Sequence, residues 1–278
     1  MSEKSLRQIL EESIASGAAD LPVFPRTASE LRNALKDENR SLDAIAKQLA
    51  MDASLASQVL KAANSSFYAG MNKVATIKEA INRMGLARIV QIATLYLQKG
   101  LYASKHPATN RYLIKLWQHS AAVALGSEWL AKRLNFSTLA EEAFMAGLFH
   151  DIGELLLIRS LENVRAKYND VNLPDELIHE IIEQQHTEKG TLLLKSWNLP
   201  EAYCAIAEMH HQPMSQETGT VELIVRIVDM VAYKLGISPR KQPQISVATS
   251  EEAQTLGITE ITLAELEIAL EDALAVSN

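Results

Sequence analysis

Apolar residues recur at three- and four-residue intervals along nearly the whole of this chain, the spacing of one face of a helix. No stretch shows the strict alternation of a half-buried strand, so helices must bury their apolar faces against other helices. With 278 residues, the chain is long enough for one large or two modest domains, each with its own core. The expected fold class is all-α, in two helical lobes.

The pattern predicts a first helix over residues 3–16, then an extended segment at "LPVFP". Helices follow over 27–35, 41–49 (with Ser41 as N-cap), 54–64, 77–84 and 87–98, the last two broken at Gly85. Gly70 punctuates a loop at "SSFYAGMNK", and "SKHPATN" reads as a connection between lobes. The second lobe opens with a long helix from Arg111 to Leu134. Helices are expected over 138–150, 152–167, 175–186, 187–197, 200–210 and 220–235. Residues 238–250 read as loop. A last helix is expected near Thr262, with Thr262 and Glu265 at capping-box spacing. The organisation expected is an N-terminal helix (1–20), a first lobe (21–105), a second lobe (106–240) and a C-terminal loop and helix (241–278).

The net charge of −7 argues against a generic nucleic-acid binder, but it is unevenly spread. Residues 20–105 carry 12 Lys and Arg against 7 Asp and Glu, whereas residues 106–278 carry 13 against 24. The lobes therefore differ electrostatically. Cys204 is the only cysteine, so no intrachain disulfide can form and a reducing cytoplasm is expected. No apolar run reaches a membrane-spanning length, and the charged start has no apolar signal core, so neither a membrane location nor export is expected.

The chemistry concentrates in the second lobe. His119 lies mid-helix on a face shared with Leu116, Ala122 and Val123, where a histidine needs a partner. His150 and Asp151 fall between two helices, and a helix junction lets adjacent side chains converge. His186 is placed at a second junction, and His210 and His211 close a helix before Pro213. Asp229 interrupts the apolar run "ELIVRIVDMVAYKL", where an unpartnered carboxylate would be costly. His179 lies among charges and reads as surface. Imidazole and carboxylate donors in this number point to one or two divalent ions, with Fe, Mn and Zn all suited.

The order His119, His150–Asp151, Asp229 resembles the HD superfamily of metal-dependent phosphohydrolases. His186 and the His210–His211 pair are similar to the second-metal ligands of its HD-GYP branch. The whole chain looks closest to the HDOD domain. The segments that carry this are "LPVFPRTASELRNAL", "SLDAIAKQLAMDASLASQVLKAANSSFYAG", "TIKEAINRMGLARI", "WQHSAAVAL", "AFMAGLFHDIGELLL" and "HTEKGTLLLKSWNLPEAYCAIAEMHH". The resemblance implies an HD-like helical bundle in the second lobe and a regulatory role in bacterial signalling, generally without demonstrated activity.

Two departures bear on catalysis. Where HD-GYP enzymes have "HDIGK", this chain has Glu154, an anion that would repel phosphate in a low-dielectric site. The "GYP" loop is replaced by "HHQPMSQETG". The leading expectation is a signalling module that keeps its metal site and acts through a regulatory protein partner, which would also deliver its input. The alternative is an active phosphohydrolase acting on a phosphorylated small molecule or nucleotide. There Asp151 would bridge the ions, and an activated water would attack the phosphate ester. Arg111 and Lys115 could contact phosphate, although a solvated role suits them better. A third reading takes residues 41–64 as a helix-turn-helix exposing Ser54, Ser57 and Gln58. Lys61 is the only cation of its second helix, too little charge to hold DNA.

Overall fold

Helix caps written in the sequence set the first elements of the computed structural model, which describes residues 12, 22–35, 41–65, 67–68, 72–167, 175–240 and 246–277. After extended residues 22–25 comes α1 (Arg26–Leu35). Ser41 Oγ accepts the Ala44 amide at 3.1 Å to start α2 (Leu42–Ala50), and Asp52 accepts the Leu55 amide at 3.0 Å to start α3 (Ala53–Ala63). Helices α4 (Ile77–Met84) and α5 (Leu86–Lys99) meet at Gly85, whose φ of 82° suits glycine. Then follow α6 (Pro107–Arg133), α7 (Ala140–Phe149), α8 (Ile152–Lys167), α9 (Asp175–Ser196) and α10 (Glu201–Met209). The chain closes with α11 (Thr220–Lys234), α12 (Glu251–Thr255) and α13 (Glu260–Ser277). Among the described residues there is no strand, and the fold is all-α as expected.

Several boundaries correct the sequence reading. The long helix α6 begins at Pro107 rather than Arg111, because proline is favoured in the first helical position and His106 caps it. Residues 175–197 do not form two helices: α9 is continuous and His186 lies mid-helix, not at a junction. The cap of α13 is Thr259, whose Oγ1 accepts the Thr262 amide at 3.2 Å, so Thr262 sits one turn inside. The stretch 238–250, read as loop, contains the short 3-10 turn Val247–Thr249, and α12 follows it directly. The helix expected over 3–16 lies, apart from Glu12, outside the described residues, as do Gly70 and residues 241–245.

The described residues form two compact units, each drawn from separated stretches of chain. One contains Phe149–Pro213 with Pro22 and Val23. In it α8 packs along α9, and α9 along α10, around Ile152, Leu155, Ile182, Leu193, Leu194 and Ile206. Its tightest crossing is at Gly153, where an added Cβ would collide with the His186 carbonyl and come within 2.5 Å of the Gly190 amide nitrogen. Both obstacles are backbone, so α8 and α9 approach this closely only with glycine at 153.

The other unit contains Phe24–Leu148 and Met214–Asn278. Its spine is α6, packed on α11 and α13, while α1, α3 and α4 pack on α5. A charged group is sealed inside it. The Glu128 carboxylate is paired with the buried Arg88 guanidinium and with Lys132 Nζ at 2.5 Å, and Tyr68 Oη lies 3.4 Å away. Burial, reinforced by Arg88, lowers the Lys132 pKa to about 8. No described helix is long and apolar enough to cross a membrane.

Candidate metal centre

The His150–Asp151 pair occupies the turn between α7 and α8, as the sequence predicts, and both residues are buried. His150 Nε2 lies 3.4 Å from Asp151 Oδ2. The other Asp151 oxygen, Oδ1, faces His210 Nε2 at 3.3 Å and His186 Nε2 at 3.5 Å. The His186 ring stands 5.0 Å from that of His211, the one exposed histidine of the group, and His211 lies 4.1 Å from His210. One donor atom from each of Asp151, His186, His210 and His211 falls within 4.8 Å of the others. Five of the seven expected ligands thus lie together in the unit that holds Phe149–Pro213.

Backbone carbonyls decide the protonation of these rings. His186 Nδ1 lies 2.8 Å from the Ile182 oxygen, and a carbonyl only accepts, so Nδ1 carries the proton. His210 Nδ1 donates in the same way to Ala207 O at 3.0 Å and Ile206 O at 3.2 Å. In the neutral rings both Nε2 atoms are therefore bare lone pairs aimed at a carboxylate oxygen. Burial pushes the His210 imidazole below its usual range, against the opposing pull of Asp151, which favours the neutral ligating form. His186 Nε2 is buried with no hydrogen-bond partner.

Acceptors facing acceptors inside a protein call for a cation between them. The spacing fits one. Ligand bonds of about 2.0–2.1 Å in tetrahedral geometry place donor atoms about 3.3 Å apart. The Asp151–His210 and Asp151–His186 separations of 3.3 and 3.5 Å match this value.

The remaining two expected ligands form a pair in the other unit. His119, on α6, is fully buried and donates Nδ1–H to the Ile237 carbonyl at 2.7 Å. Its Nε2 stands 3.1 Å from Asp229 Oδ1 on α11. The anchor carbonyl is placed by the end of α11: Gly236 adopts φ 72° and Ile237 N returns to Ala232 O at 2.8 Å. With Nδ1 committed, Nε2 meets the carboxylate either as an imidazolium or across a cation.

Glu154 is fully buried on the first turn of α8, with its amide 3.0 Å from the Asp151 carbonyl. His179, Arg111 and Lys115 are exposed, in keeping with surface roles. Sequence reasoning did not single out Gly153, which lets α9 approach α8 and so sets His186 beside Asp151, nor Gly190, which faces it. The available signal was two glycines inside helical patterns.

Comparison with known proteins places this arrangement. The HDOD domain profile matches residues 21–213. The chain belongs to the HDOD family. A solved HDOD domain protein from Geobacter sulfurreducens superimposes with a TM-score of 0.74 at 20% identity, covering 98% of both chains. A Shewanella amazonensis protein provisionally described as a metal-dependent phosphohydrolase superimposes with a TM-score of 0.80 at 19% identity, covering 98% of this chain and 99% of that one. At these identities the likeness speaks to the fold alone. An uncharacterized protein of Treponema pallidum is 26% identical over 235 residues, 79% of this chain. This HDOD chain spans 45% of the length of that relative.

Proposed function

We propose that this HDOD protein is a metal-binding regulatory module of bacterial signalling that acts by engaging a protein partner. The convergence of the bare His186 and His210 Nε2 atoms on Asp151 Oδ1 carries the metal part of the reading. Asp151, His186, His210 and His211 would hold the ion, with His150 beside them; His119 and Asp229 form a pair of the same donor types within the other unit. Zn, Mn and Fe are all compatible with such donors.

Loaded with a divalent ion, a site of this type supplies an acidified water and a positive charge to receive a phosphate. The chain's own residues temper that capacity. Glu154, fully buried three residues after Asp151, puts an anion where a phosphate-binding cation would serve hydrolysis. The supported role is therefore binding without turnover, in a cytoplasmic protein. The competing reading is hydrolysis of a phosphorylated small molecule or nucleotide, favoured by the description of the Shewanella relative.

Turnover separates the two. Purified protein supplied with Mn or Fe should hydrolyse neither bis(p-nitrophenyl) phosphate nor p-nitrophenyl phosphate faster than the metal salt alone. Metal-dependent hydrolysis that disappears in His150→Ala would replace the regulatory reading with the enzymatic one.

A further inference from the structure

Where α5 ends and α6 begins, Lys99, Tyr102, Ala103, Asn110, Ile114, Trp117 and Gln118 enclose a cavity of about 240 Å³. All lie in one unit. Asn110, Ile114, Trp117 and Gln118 share a stripe of α6 by their four-, seven- and eight-residue offsets. The almost completely buried Trp117 and Tyr102 rings form the inner wall, 5.7 Å apart and inclined at 56°. Lys99 Nζ stands over the Trp117 ring, 5.9 Å from its centre. Ile114, 45% exposed, lies at the rim, a large apolar side chain left in water. Asn110 is held in place by accepting the Ser104 amide at 2.9 Å.

The wall chemistry selects a ligand. The half-exposed Ile114 above a floor of two buried aromatic rings gives an apolar ring somewhere to lie, and Lys99 offers an anion its counter-charge. Lys61 on α3 adds to the positive field, since it acts electrostatically on Lys99. Size narrows the choice: a cavity of about 150 Å³ takes a benzene-sized ring. The space here takes a single ring bearing one anionic group.

We propose that this cavity is a binding site for a small planar ring carrying a carboxylate or phosphate, with Lys99 as the anion contact and Ile114 as the apolar contact, above a floor formed by Trp117 and Tyr102. The site is separate from the metal ligands, but Gln118 lines it and His119 is the next residue of α6. Occupancy would therefore bear on the helix that carries one of the histidines.

The test titrates full-length protein with benzoate, phenyl phosphate and the uncharged isostere benzamide, reading affinity by saturation-transfer NMR. The two anions should bind about tenfold more tightly than benzamide, the effect of one charge-assisted contact. Lys99→Met should weaken the anions about tenfold and leave benzamide within about twofold. Ile114→Glu changes only an exposed rim residue, so it keeps the fold, and it should weaken all three probes. Preference for phenyl phosphate over benzoate identifies a phosphate-bearing ligand, and the reverse a carboxylate. Equal binding of benzamide and the anions, or Lys99→Met that still binds both anions at wild-type strength, overturns the proposal. So does the absence of binding by every probe.

Discussion

Gly153→Ala is expected to lower stability by about 3 kcal/mol and to cost the protein most of its bound metal, at the upper end of what overpacking usually does. The reason is the nature of the obstacle. A methyl group at 153 meets the His186 carbonyl and the Gly190 amide, and neither can rotate away. Helix α9 must move off α8, taking His186 Nε2 away from Asp151, and the 3.5 Å separation that suits a shared ion is lost. Gly190→Ala is the control. Its Cβ would stand 3.3 Å from the Gly153 nitrogen and at least 3.6 Å from Ile152 and Ala207 side-chain atoms. That is a tight contact partly offset by the helix preference of alanine, so its stability should stay within about 1 kcal/mol of wild type. Urea midpoints and metal content of the two variants check this. Equal behaviour of Gly153→Ala and Gly190→Ala would refute the role given to the crossing.

Glu128→Ala should be the costliest single change in the other unit, at about 3–5 kcal/mol, because it strands a buried cation. Arg88 is packed over the Tyr68 and Phe144 rings, 5.9 Å from each centre, and cannot reach water without breaking that packing. Lys132, half exposed, can turn outward and needs no replacement partner. Removing both buried charges at once should therefore be far milder. Arg88→Met combined with Glu128→Leu is expected to recover all but about 1 kcal/mol. Thermal and urea unfolding of the two singles and the double decide it; a double variant as unstable as Glu128→Ala would mean that packing, not charge, holds this region.

How far the site was legible in the sequence depended on whether a residue's role is local. The His150–Asp151 turn follows from two helical patterns meeting, and the burial of His119 follows from its neighbours Leu116, Ala122 and Val123. His186 was misplaced because "HTEKGT" combines a β-branched residue with a glycine, the ordinary signs of a helix break. In the structure that glycine lies inside a continuous helix, where α9 passes Gly153 of α8, a tertiary arrangement that periodicity does not report. The Ile237 anchor for His119 was likewise hidden, since it requires α11 to end in a left-handed Gly236 and return its next carbonyl to α6. The start of α6 was missed for a simpler reason: Pro107 falls within the segment that reads as a connection, although proline is favoured at a helix start.

Asp151 is proposed as the shared anchor of a metal site, and metal content measures this directly. Protein exposed to Zn, Mn or Fe, freed of loose ions by gel filtration and analysed by plasma mass spectrometry should hold at least one ion per chain. Asp151→Asn keeps the shape of the side chain and should remain folded by circular dichroism, yet retain less than about a tenth of that ion. Wild-type protein that holds no ion, or a folded Asp151→Asn variant that holds as much as wild type, would contradict the account.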